Sequence, residues 1–137
     1  MKVKLNPGAF APERAHATDA GLDLRTPIAF TIMPHSSYVI DTGVHIQLPH
    51  GTYGKLESKS GLNVNRDIVS CGGTIDEPYT GSIKVKLYNL GEFPYHFEEG
   101  DKIIQLIVQP CLYESIELTE HLEETDRGNN GFGSTGK

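Results

Sequence analysis

Short apolar stretches that alternate with polar residues at period two, separated by turn formers, leave this chain little freedom of fold class. Val44, Ile46 and Leu48 alternate with His45 and Gln47, and Ile83, Val85 and Leu87 alternate with Lys84, Lys86 and Tyr88. Ile104, Leu106 and Val108 share a face, and Leu112, Ile116 and Leu118 predict one more extended piece. Successive side chains of a strand point to opposite faces, so this pattern is that of strands with one face buried. The 15 glycines and 8 prolines are spread between these runs and punctuate them. Many short strands at this spacing predict an all-β sandwich, jelly roll or barrel. Helical periodicity is scarce. One short helix is expected from Ser58 or Lys59 through Leu62 to about Val64, with Ser58 or Ser60 as its cap.

With 137 residues the chain has room for about one domain and a core of its own. No apolar run approaches the length of a membrane span and the N-terminus lacks a signal-peptide core, so the expected compartment is cytoplasmic, with no membrane partner. Cys71 and Cys111 have no CxxC spacing and are expected as reduced core or near-core thiols. The six histidines form no metal-binding pattern. A net charge of −6 without a basic block excludes a general nucleic-acid binder. It leaves open a phosphate ligand held by a few local cations and a divalent metal.

Five segments carry residues suited to such chemistry, and each also has a plainer reading. Ala20-Gly21-Leu22-Asp23-Leu24-Arg25 places an acid between leucines, where it meets a metal-bound water or merely a cation such as Arg25. Lys59-Ser60-Gly61-Leu62 at a helix start offers a cation, a hydroxyl and free N–H groups, or only an ordinary cap. Gly73-Thr74-Ile75-Asp76-Glu77-Pro78-Tyr79-Thr80-Gly81 predicts a hairpin with a tight turn. In it Asp76 is a partly buried base or a turn-capping acid, and Tyr79 offers a flat face to a sugar. In Gly100-Asp101-Lys102-Ile103-Ile104-Gln105-Leu106, Gln105 is polar among apolar neighbours and needs a partner if buried. The tail from Thr125 combines Arg127, Gly128, Gly131, Phe132, Gly133, Ser134 and Thr135: a mobile arm that closes on an anion and a base, or a disordered end.

Together and in this order, the five segments resemble the five motifs of the trimeric dUTPase family, from about residue 15 to the end of the chain. The resemblance implies an all-β, distorted jelly-roll or β-barrel subunit with one short helix, spanning residues 1–124. It also implies a homotrimer in which the arm, residues 125–137, is exchanged over sites of neighbouring subunits. The implied activity is hydrolysis of dUTP to dUMP and pyrophosphate by water attack on the α-phosphorus with Mg²⁺, which keeps uracil out of DNA and supplies dUMP for dTMP synthesis.

The resemblance also implies roles for single residues. Asp76 deprotonates the water and Gln105 binds it or the phosphate region. Tyr79 lies under the deoxyribose, and Ser70, Gly73, Thr74 and Ile75 read uracil. Lys59, Ser60 and Gly61 hold phosphates. Phe132 stacks on uracil with Gly133 beside it, Arg127, Ser134 and Thr135 bind the γ-phosphate, and Asp23 contacts Mg²⁺ through a water. Three positions depart from the family pattern: Lys59 stands where Arg is usual, Pro78 where a second Asp is common, and Ser70 where Asn is common. The rival readings are a dCTP deaminase of the same fold, a bifunctional enzyme, a dUTP-sensing regulatory protein and a ligand-free structural domain. If the gene is viral, a regulatory protein partner is also open.

Overall fold

The structure is a computed structural model that describes residues 1–71 and 73–131. Candidates Phe132, Gly133, Ser134 and Thr135 lie outside the described residues. Ten strands and one helix follow in the order β1 (Lys2–Leu5), β2 (Leu22–Arg25), β3 (Phe30–Ile32), β4 (Ser36–Gln47), β5 (Thr52–Glu57), α1 (Ser60–Arg66), β6 (Ile68–Ser70), β7 (Thr74–Ile75), β8 (Ser82–Asn89), β9 (Tyr95–Phe97) and β10 (Lys102–Pro110). They form two four-stranded sheets, ordered β1-β4-β8-β6 and β2-β10-β5-β7, and a small β3-β9 pair. The pairings are antiparallel. The all-β class expected from the alternating runs is the one found, and the two sheets agree with the jelly roll that the resemblance implies.

The runs make strands because one face of each is needed inside. Ile83, Val85 and Leu87 of β8 are buried while Lys84 and Lys86 are exposed. Val44 and Ile46 of β4 and Ile104 and Leu106 of β10 come from the other alternating runs and join the same core. Each such side chain contributes roughly 1.5–3 kcal/mol of burial. Two irregularities break the period. Ile103 is buried beside Ile104 because the β10–β2 register shifts between Lys102 and Ile104. In β4 the register slips between Asp41 and His45, and the buried Thr42 hydroxyl donates to the Ile83 carbonyl at 2.8 Å.

Several expectations are corrected. Leu112, Ile116 and Leu118 form no strand and are 83%, 90% and 93% exposed, for among the described residues nothing after Pro110 pairs with a sheet. The helix starts one or two residues later than expected, at Ser60, and runs on to Arg66. Lys59 is its N-cap without a side-chain cap bond, because the Ser58 hydroxyl is taken by Ser70, whose N–H donates to it at 2.8 Å. The Gly73–Gly81 motif is no two-stranded hairpin: β7 pairs with β5 while β8 lies in the other sheet, so the motif crosses between sheets. Cys71 is exposed rather than in the core, and both thiols are free.

Asn89 ties the small β3-β9 pair to the larger sheet. Its buried amide donates to the carbonyls of Ile32 at 3.0 Å and Phe93 at 2.8 Å, and its oxygen accepts from Gly91 N–H at 3.0 Å. Removing it orphans buried backbone groups, at about 1–3 kcal/mol for the first of them. Asn89→Ala is therefore expected to lower stability by about 2–3 kcal/mol in urea unfolding at fixed protein concentration. A loss under about 0.5 kcal/mol would show that this anchor contributes nothing.

Candidate active site

Strand order places the candidate residues in two groups. In the β2-β10-β5-β7 sheet, Asp23, Gln105 and Glu57 stand in one row across β2, β10 and β5. Gly54 and Ile75 pair across β5 and β7, and Asp76 follows Ile75 at the far edge. Three strand spacings of about 4.8 Å and a slip of four residues at about 3.3 Å put the Asp23 and Asp76 backbones on the order of 20 Å apart.

At the β2 edge, Asp23 is buried and accepts from two ammonium groups, Lys59 Nζ at 2.5 Å and Lys102 Nζ at 2.7 Å. Burial raises the Asp23 carboxyl, but the hydrogen bonds from Lys102 and Lys59 outweigh it and hold its pKa below the ordinary carboxylate value. Two cations against one anion leave a net positive charge at this edge. Arg25, a candidate partner for Asp23, instead pairs with Glu13 and donates to the Gly100 carbonyl at 2.7 Å. Gln105 Nε2 reaches the Ser58 carbonyl at 3.5 Å, the limit of a hydrogen bond. Gly21 makes room for this side chain, since a Cβ there would lie 2.8 Å from Gln105 Cβ. Ser60 opens α1 exposed to solvent and Gly61 follows it. Lys102 lies in the Gly100–Leu106 segment, where the sequence assigns it no role of its own. Its one signal is that an acid between leucines needs a counter-cation, and which cation reaches it is a long-range matter.

At the β7 edge, Thr74 is exposed and Ile75 buried. Gly73 takes φ +123°, and a Cβ there would sit 2.7 Å from Leu56, whose N–H donates to the Gly73 carbonyl at 2.8 Å. Ser70 ends β6, with its backbone on Ser58. Asp76 is exposed rather than partly buried, because β7 ends just before it and the chain turns there. Tyr79 N–H donates to the Asp76 carbonyl at 3.0 Å. The Tyr79 ring lies on Gly81 and its hydroxyl donates to the Ser82 carbonyl at 2.9 Å, and the residue as a whole is 43% exposed. Next to Asp76, Glu77 is fully engaged: it accepts from Tyr113 Oη at 2.5 Å, Gly51 N–H at 2.8 Å and His50 Nδ1 at 2.9 Å. The Tyr113 bond, then those from His50 and Gly51, lower its pKa to about 2, while Tyr113 is pushed up to about 12 and His50 is raised. Tyr53, Asp76, Glu77, Pro78, Cys111 and Tyr113 line a hollow of about 530 Å³. Arg127 is exposed, and its Nε donates to the Asn130 carbonyl at 3.0 Å.

A family model described as dUTPase matches residues 9–136. This chain belongs to the dUTPase family. Deoxyuridine 5'-triphosphate nucleotidohydrolases of Clostridium novyi and Mus musculus are 43% and 40% identical to it. The matches cover 97% and 98% of this chain and 95% and 83% of theirs. A mutant dUTPase of Staphylococcus bacteriophage 80alpha, solved with dUpNHpp, superposes with a TM-score of 0.93 at 29% identity, over 99% of this chain and 98% of its own. Within the dUTPase motifs the two neighbouring acids of this chain differ in kind. Glu77, with three donors and a pKa of about 2, is a poor proton acceptor near neutrality, whereas Asp76 presents its carboxylate to solvent.

Because the Glu77 carboxylate gains its partners only on folding, its contribution to stability is fully present above the unfolded value of 4.5. It is lost as pH falls toward about 2. In urea unfolding, the stability gap between the protein and Glu77→Gln is expected to narrow as pH falls from 6 to 3. A gap constant over that range would show that the three contacts do not favour the charged form.

Proposed function

We propose that the protein hydrolyses dUTP to dUMP and pyrophosphate, with Asp76 as the base that takes a proton from the water attacking the α-phosphorus. The observation that carries this reading is the exposed Asp76 at the end of β7, inside a motif shared with the dUTPase family and beside an acid that is already occupied. Tyr79, held over Gly81 by its hydroxyl, supplies the flat face under the deoxyribose. The backbone of Ser70, Gly73, Thr74 and Ile75 reads the uracil edge.

Within one chain Asp76 lies on the order of 20 Å from Asp23, the partner of Lys59, and about 16 Å from Gln105 by strand spacing. That separation supports a homotrimer in which the β7 edge of one chain faces the β2 edge of its neighbour. Lys59, Ser60 and Gly61 then take the phosphates, Gln105 the water or the phosphate region. Residues 125–137 act as an arm beyond the body of residues 1–124, bringing Arg127, Ser134 and Thr135 to the γ-phosphate and Phe132 with Gly133 to the base. Among the described residues no group of three or more His, Cys, Asp or Glu is placed to hold a metal. Asp23 is the carboxylate that would contact Mg²⁺, and it would do so through a water. Bound there, Mg²⁺ would offset phosphate charge at the reacting end. Lys59 and Lys102, kept together by Asp23, add positive charge on the protein side. Free thiols at Cys71 and Cys111 suit a reducing cytoplasm.

Pyrophosphate release from dUTP, dCTP, dTTP and UTP tests the reading. Release from dUTP alone is expected, falling at least about 100-fold in Asp76→Asn. Ammonia from dCTP without release from dUTP would point to a deaminase, and silence on every nucleotide to a sensor without turnover.

A further inference from the structure

Asp76 has little local support from its own strand. The strand before it has two residues and two backbone pairings, and two-residue strands hold weakly by themselves. Beyond it the chain is fixed by the turn bond from Tyr79 and by Glu77. Glu77 Oε1 and Oε2 together take three donors from two remote places. His50 and Gly51 belong to the turn before β5, and Tyr113 lies three residues past the end of β10. The same turn holds the chain leaving β10, because Cys111 N–H donates to the Gly51 carbonyl at 2.9 Å. One carboxylate thus joins the Asp76 turn, the 50–51 turn and the root of the C-terminal segment.

We propose that Glu77 is a positioning residue for Asp76, and that Tyr113 acts through it, so that the carboxylate fixing the catalytic turn also fixes the direction in which the C-terminal segment departs. This rests on Asp76 being the base. Glu77 itself takes no proton from water: all three donors favour its charged form. Its effect is geometric. Placement errors of about 1 Å at a reacting group cost up to about 100-fold in rate, while a nucleotide held mainly by other residues binds as before. Loss of the Tyr113 hydroxyl removes the shortest of the three bonds and leaves the ring. The chain then keeps its fold but loosens the Asp76 turn. Charge on Glu77 matters too, because Gln supplies one acceptor oxygen where three donors converge.

The test is dUTP hydrolysis by the full chain in its native assembly, comparing wild type, Glu77→Gln, Tyr113→Phe and the double variant. Affinity for a non-hydrolysable imido analogue of dUTP is measured alongside. Each single variant is expected to lose about tenfold in kcat with KM and analogue affinity within about twofold of wild type. The double variant is expected to be no slower than the slower single, since both act through one carboxylate. Tyr113→Phe carries the test should Glu77→Gln fail to fold. Unchanged kcat in Tyr113→Phe overturns the inference, as does a loss that appears only in KM or losses that multiply in the double variant. A wild type silent on dUTP overturns this inference together with the proposed function.

Discussion

The β2-β10-β5-β7 pairing order governs where chemistry can occur in this protein. Backbone hydrogen bonds fix Asp23, Gln105 and Glu57 in one row, and they fix Ile75 against Gly54 further along β5. Side chains at the two edges cannot approach each other without breaking that ladder. A chain folded in this way holds two separate groups, the Lys59–Asp23–Lys102 cluster at the β2 edge and Asp76 with Glu77 at the β7 edge. The proposed trimer joins such edges between chains, and the proposed site lies where they meet.

Each half is organised by one buried or engaged carboxylate. Asp23 gathers Lys59 and Lys102, so that an acidic chain of net charge −6 still offers a local excess of positive charge to phosphates. Glu77 gathers Tyr113, His50 and Gly51 and leaves Asp76, its neighbour, facing solvent. In both cases an acid that performs no chemistry sets the position of a residue proposed to perform it. The Lys59 ammonium, standing where the family usually has Arg, reaches Asp23 with one direct bond, which a point charge on a flexible stem does well.

The strands were legible because burying one face of a strand leaves a period of two, as in Ile83, Val85 and Leu87. Ile103 escaped because a register shift puts two neighbours on the inside. Leu112, Ile116 and Leu118 misled for a related reason: alternation reports that a face wants cover, not that the same chain supplies it. The helix cap was misread because Ser58 serves Ser70, a contact across twelve positions. The motifs around Asp76, Tyr79 and Gln105 were legible as short patterns, and the family match bears out the membership they implied. Lys102, His50 and Tyr113 were not, because each acquires its role from a partner 36 or more positions away, or 27 in the case of His50.

The most direct test of the composite site is complementation between two inactive chains. One carries Asp76→Asn, the other a substitution in the opposite group such as Gln105→Ala on β10, and the two are unfolded together and refolded as a mixture. If the halves meet only between chains, each mixed trimer regains one intact site, and about a quarter of wild-type dUTP hydrolysis returns from random mixing. If both halves acted within one chain, every site would carry one lesion, and the mixture would be no more active than its two components.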